Sequence, residues 1–362
     1  MNARKLHLVT ALAVLALGTA CDGEKKAKSD APAAESAKPK TKLEKALEAA
    51  AAASATPSAE RQGPPQTGVF TKAASDAEQP AGAPAKLTMV KQGDGPKVAL
   101  AASGLAAGTQ LTLNVAANVF QGPLPGMVYV VEVAGDDAKA KAKEDGDAEA
   151  SPVAGGRMLT LKVKKAEVDP KWPGKLQDGG EKVLAKLAGS KLVTTLDARG
   201  GFTDVKVEVG KDVKGAAYIV EAMAQALAFV FVPLPSEPVA EGASWLVSDR
   251  TRIAGLELVR YRAVTLQKVV GDDVVLGIDV RHYGPSPEVV PEGLPAGAEM
   301  MGVESFGQAT VTRKIGDVTP LGAKLGYPID VIIGKGGQPA GKFRADVKAE
   351  LVGSGAAPAA KK

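Results

Sequence analysis

The chain has 362 residues, of which 45% are apolar, 24% charged and only 4% aromatic. That length allows one large or two small domains, and the scarcity of rings means a core built from Val, Leu, Ile and Ala. The 45 basic and 41 acidic side chains nearly balance, which argues against nucleic acid as a partner, since that asks for a concentrated basic face. One Cys excludes an internal disulfide. Two His, one of them His7 in the first twenty residues, exclude a His- or Cys-rich zinc site. These counts leave an all-carboxylate calcium site open, but no calcium-loop spacing is present, and neither metal nor cofactor is expected.

Arg4 and Lys5 form a short positive region, after which Leu6 to Gly18 runs apolar except for His7 and Thr10. As a helix this run is roughly 20 Å long, short of the ~30 Å hydrocarbon core of a bilayer. That is the length of the apolar stretch of an export signal. It ends Leu17-Gly18-Thr19-Ala20-Cys21. Small residues leading directly to a Cys resemble the bacterial lipobox. The resemblance implies cleavage after Ala20, diacylglycerol on the Cys21 thiol, and Cys21 as the new N-terminus. It further implies a protein of the cell envelope, lipid-anchored to a bacterial membrane on the periplasmic or surface side. Each buried acyl CH₂ contributes about 0.8 kcal/mol, so two or three chains make the attachment lasting.

Residues 1–20 thus read as a signal peptide. Residues 21–85 are rich in Ala, Pro, Lys, Glu and Ser, with Phe70 as their one aromatic. A segment so poor in large apolar groups cannot offset its ordering entropy, so it reads as a disordered, lipid-anchored tether. Residues 86–353 read as a β-rich domain and 354–362 as a disordered tail.

Within the domain the hydrophobic period is two. Leu111, Leu113, Val115, Ala117 and Val119 share one face with Thr112, Asn114 and Asn118 opposite, and Phe343, Ala345, Val347, Ala349 and Leu351 alternate with charged residues without exception. Strict alternation means antiparallel strands with one face buried and one wet. Similar runs occur at Met127–Val133, Arg157–Val168, Lys191–Leu196, Phe202–Val209, Leu256–Val270, Val274–Val280, Gly307–Ile315 and Tyr327–Ile333. Two helices interrupt them: a short amphipathic one over Asp178–Leu187, and Val213–Val232, apolar nearly all round. Glu221 and Gln225 form the thin polar edge of the second helix. Such a helix is buried on more than one side, and Pro233-Leu234-Pro235 ends it. The expected fold is mainly β: a curved antiparallel sheet or half-barrel of about ten strands around one buried apolar helix, with one short helix. Tyr283–Gly302, with four prolines, reads as a long loop.

Val232-Pro-Leu-Pro-Ser-Glu-Pro-Val-Ala-Glu-Gly-Ala-Ser-Trp245 resembles a motif of uncharacterised bacterial envelope proteins. The architecture also resembles the half-barrels of lipoprotein carriers, where a curved sheet wraps apolar helices; that likeness implies a place for acyl chains. Tyr218, Met223, Leu227 and Phe231 on the helix, with Trp172, are then the candidates to line a ligand pocket. A Ser-His-Asp enzyme would have to use His282, which stands at a strand end and reads as a surface residue; no G-x-S-x-G elbow is present. Asp272 and Asp273 sit where a hairpin turn favours Asp. Trp245 reads as core and Trp172, between Pro170 and Pro173, as exposed. Arg250, Arg252, Arg260 and Arg262 alternate along strands, which places them on a wet face.

These features point to a non-enzymatic module on the membrane that binds a lipid or other hydrophobic ligand. The alternative is a structural or assembly lipoprotein acting through envelope protein partners. If Cys21 carries the anchor, a Cys21→Ser variant leaves the membrane pellet when the membranes are washed with high salt, and the parent stays in it.

Overall fold

The computed structural model describes residues 45–46, 64–100, 105–119, 122–134, 156–176, 179–291 and 294–353. The export signal with Ala20 and Cys21, most of the tether, the charged stretch 135–152 and the tail from 354 lie outside the described residues.

The described residues form fourteen strands and three α-helices rather than about ten strands and two helices. The strands are β1 (Lys86–Lys91), β2 (Gln110–Val119), β3 (Gly122–Pro123), β4 (Met127–Val133), β5 (Arg157–Val168), β6 (Lys191–Leu196), β7 (Phe202–Glu208), β8 (Ser244–Ile253), β9 (Leu256–Val270), β10 (Asp273–Tyr283), β11 (Ala298–Ser305), β12 (Gly307–Lys314), β13 (Pro320–Lys335) and β14 (Gln338–Gly353). The helices are α1 (Lys72–Glu78), α2 (Gly180–Ala185) and α3 (Ala217–Val230), the last entered through a 3₁₀ turn, Lys211–Ala216.

All fourteen strands join one open antiparallel sheet in the order β1-β8-β9-β10-β12-β13-β14-β2-β4-β5-β6-β7, with β11 beside β13 and β3 beside β2. The alternation works as expected in β2, where Leu111, Leu113, Val115, Ala117 and Val119 are buried, and in β14, where Ala345 to Leu351 alternate buried. Tight hairpins hold the register. Gly336 and Gly337, at φ 58° and 77°, link β13 to β14 in the positive-φ pair that a type I′ turn requires. β11 begins inside the stretch expected to be a long loop and runs three residues past its end. Its apolar residues do not alternate, and it is a strand because β13, at sixteen residues, outruns β12 and offers β11 its second half as a template.

Helix α3 lies on the concave face and packs against β2, β7, β8, β13 and β14. Eleven of its fourteen residues are buried. β7 and β8 come from near opposite ends of the sheet, so the sheet curls round the helix until those ends face each other across it. Met223, Phe229, Phe231 and Val232 have no exposed surface, and each such side chain contributes about 1.5–3 kcal/mol by leaving water. Phe231 stacks on Phe202 of β7 with ring centroids 4.1 Å apart, and Trp245 of β8 donates its indole N–H to Pro233 O at 3.0 Å. Those two contacts clamp the end of the helix between the sheet ends.

Residues 64–85, expected in the tether, are instead packed on the convex face. Phe70 inserts beside Tyr261 and Tyr283, with ring centroids of Phe70 and Tyr283 5.7 Å apart. Its N–H bonds to Gly284 O at 2.8 Å. α1 follows, capped by the Thr71 side chain. Composition underestimates this strap because the sheet supplies most of the apolar area that it covers.

Phe231→Ala removes the ring that joins helix to sheet end. It is expected to cost about 3–5 kcal/mol, read as a lower urea midpoint with little change in slope.

Candidate functional site

Charged residues enter the concave face where β8, β9 and β10 meet the end of α3. Trp245, Val247, Asp249, Thr251 and Ile253 share one face of β8; Leu256, Leu258, Arg260, Arg262, Val264 and Leu266 share one face of β9. Asp249 stands directly opposite Arg260, and Arg260 directly opposite His282. The three form a row across three strands.

The row is closed by hydrogen bonds. Arg260 donates Nε to Asp249 Oδ1 at 2.9 Å and one terminal nitrogen to Oδ2 at 2.7 Å, the forked pairing that suits a guanidinium and a carboxylate. Arg262 donates to the same Oδ2 at 2.6 Å. Its other terminal nitrogen reaches Ala228 O at 3.0 Å and Phe229 O at 3.3 Å. These are carbonyls of the last turn of α3, which have no partner within the helix. A cation there also meets the negative end of the helix dipole.

The electrostatics follow from burial. Asp249 is buried, which alone would raise its pKa, but Arg260 and Arg262 outweigh this and hold the carboxyl below its usual range. Burial works against the charge on Arg260, and Asp249 outweighs it, so Arg260 titrates above its usual value. Burial and the neighbouring Arg260 push Arg262 down to about 9, against the pull of Asp249 and Asp197. His282 is pushed down to about 3, first by burial and then by Arg260, so it is neutral at physiological pH. Its Nδ1 lies 2.8 Å from Ser305 Oγ, and its ring packs near Tyr327.

Beside this knot an open cleft of about 190 Å³ lies at the seam between the sheet ends. β7 gives it Phe202, Thr203 and Val205; α3 gives Gln225 and Ala228; β8 and β9 give Asp249, Thr251 and Arg260; the strap gives Ala81 to Ala83. Thr251 donates to Gln225 Oε1 at 2.5 Å, so the polar edge of α3 faces the cleft. Arg250 and Arg252 stand at the rim. Arg250 is committed to the strap: it donates to Gln79 O at 2.7 Å, Ser75 Oγ at 2.8 Å and Asp76 at 2.7 Å, and pairs with Glu257. Arg252 faces Glu221, whose carboxyl burial raises while Arg252 pulls it back down.

The sequence expectations meet this geometry unevenly. Arg260 and Arg262 are not on a wet face; they are 3% and 0% exposed. The sequence signal for this was β9 itself, which is apolar in both parities: Leu256, Leu258 and Val264 on one, Val259, Tyr261 and Ala263 on the other. A strand covered on both faces leaves an arginine no water to point at. His282 is likewise buried, at 2%, rather than a surface residue, because β11 and β13 close over the end of β10. Of the pocket candidates, Met223, Leu227 and Phe231 are buried in the core and Tyr218 is partly buried. Trp172 is half-buried in a different place, the loop after β5. None of the five lines the seam cleft, and Trp172 lines the cleft of the loop after β5 without the other four. The residues that do line the seam, Asp249, Thr251, Arg260 and Gln225, carry no motif.

No protein-family model matches this chain, and no curated protein does. Among solved structures it is similar to lipovitellin, in a structure concerned with lipid–protein interactions. The similarity covers 72% of this chain and 26% of that one, at 11% identity and a TM-score of 0.39. The chain thus spans about a quarter of lipovitellin, and similarity this low carries no argument about a ligand.

Asp249→Asn leaves two buried guanidiniums without their counter-charge. It is expected to destabilise the domain by about 3–5 kcal/mol in urea titration, far more than an exposed pair such as Lys324–Glu350, whose loss costs at most about 1 kcal/mol.

Proposed function

We propose that this chain is a membrane-anchored, non-enzymatic envelope lipoprotein that holds an amphiphilic ligand at the seam of its curled sheet. One observation carries the reading: the seam cleft has a polar wall and an apolar wall that meet. Asp249, Arg260, Thr251 and Gln225 form the first, and Phe202, Val205 and Ala228 the second. A head that takes hydrogen bonds fits the first wall and a hydrocarbon or ring fits the second. A cavity of about 150 Å³ holds benzene, so this cleft takes one small group, and a longer tail leaves through its mouth.

The non-enzymatic part is supported by the state of the titratable groups. His282 is neutral and enclosed, and Asp249 is saturated by two arginines, so neither is poised to move a proton near neutral pH. The anchor is supported by the run Leu17 to Cys21. The assembly reading, in which the domain works through protein partners, is favoured by a separate observation: Met223, Leu227 and Phe231 are already buried against the sheet, so α3 serves as core.

Native mass spectrometry of protein extracted in mild detergent tests the choice. The parent is expected to carry a bound amphiphile, and Ala83→Trp, which fills the cleft from the strap side, to lose it without loss of fold. A bare parent that co-purifies with envelope proteins would overturn the ligand reading in favour of assembly.

A further inference from the structure

The segment that runs from β5 through α2 to the start of β6 carries an excess of positive charge, and a tryptophan, that the seam does not use. From Arg157 to Lys191 nine basic side chains stand with four acidic ones, whereas the rest of the chain after Ala20 carries 34 basic and 37 acidic. The positive charge of the mature chain therefore sits on one part of the fold. Several of these lysines are paired: Lys164 with Glu132, Lys165 with Glu167, Lys186 with Asp212. Lys171, Lys175 and Lys182 are exposed and make no ion pair among the described residues.

Those three surround Trp172. Trp172, Lys175, Leu176 and Lys182 line an open cleft of about 650 Å³, together with Glu181. Lys171 lines an adjoining cleft of about 460 Å³ with Lys324, Lys348 and Glu350, and Asp169 borders both. The acidic neighbours are partly occupied. Asp169 Oδ1 accepts from the Lys171 N–H at 2.9 Å, and Glu350 pairs with Lys324 at 3.0 Å.

The described part of the loop, residues 169–176, is held by bonds of its own. Trp172 N–H donates to Asp169 O at 2.8 Å, and Asp169 N–H to Gly126 O at 2.7 Å. Pro170 and Pro173 fix the backbone on either side. The indole lies over Gly174, where a Cβ would come within 2.2 Å of the ring. Val183 on α2 adds an apolar side chain that is 41% exposed. An amphipathic ring flanked by unpaired lysines is the pattern that rests at a headgroup layer, the ring among the headgroups and the ammonium groups on phosphates.

We propose that the Trp172 loop, with Lys171, Lys175 and Lys182, is a membrane-contact surface for anionic phospholipid. An acylated Cys21 would bring the domain near a bilayer, but the contact itself needs neither the anchor nor the seam cleft.

The test uses the mature polypeptide lacking only its acyl chains, residues 21–362 with Cys21→Ser. It is mixed with phosphatidylcholine vesicles with and without roughly one-third phosphatidylglycerol. The chain has two tryptophans, and Trp245 is fully buried and hydrogen-bonded, so a fluorescence response reports Trp172. Expected are a blue shift and quenching by brominated lipid only with phosphatidylglycerol, both reversed by salt. Lys171→Gln with Lys175→Gln should weaken binding roughly 25-fold, about fivefold for each lysine. Phosphatidylglycerol-independent binding, no binding, or binding indifferent to that double substitution overturns the proposal. An unchanged urea midpoint shows that the variant is folded. Because acyl chains are absent, failure here leaves the anchor and the seam ligand untouched.

Discussion

The Asp249–Arg260–Arg262 knot governs how this fold closes. A helix buried as deeply as α3 must end somewhere, and its last carbonyls cannot be left dry and unpaired. Arg260 and Arg262 supply the donors from the sheet floor, and Asp249 makes two buried cations tolerable. The same bonds set where β8 and β9 lie relative to the helix end. That in turn places Phe231 against Phe202 and brings β7 to the opposite side. The curl of the sheet is therefore fixed by polar contacts at one point, while the apolar contacts along α3 supply most of the stabilisation.

Burial on both faces follows from the same region. β8 to β10 have α3 on the concave side and the strap on the convex side. Arg250 ties the strap to β8 through Ser75, Asp76 and the backbone of Gln79. The strap also reaches the seam, where Ala81 to Ala83 form one lip of the cleft. The chain segment that leads in from the proposed anchor thus contributes directly to the proposed ligand site. Movement of the strap would open the cleft and bare Tyr261 and Tyr283 together.

The two proposed contact regions differ in character, and that difference assigns their roles. At the seam, charges are enclosed and mutually neutralised, which suits a small group recognised by shape and hydrogen bonds. At the Trp172 loop the lysines are exposed and make no ion pair among the described residues, which suits a broad, fluid, negatively charged surface that accepts many geometries.

Much of this was legible in the chain itself. Strands β2, β4, β5, β6, β12 and β14 follow from alternation, and the exclusion of a disulfide and of a His- or Cys-rich zinc site follows from counting Cys and His. The central helix follows from an apolar run bounded by Pro233 and Pro235. These are local properties: period, composition and breakers act over a few residues and need no partner. Tertiary structure alone decided that His282 points inward, that residues 64–85 pack rather than trail, and that β11 is a strand. Each depends on what covers a face or extends an edge, and that cover comes from segments tens to hundreds of residues away, which no local pattern records.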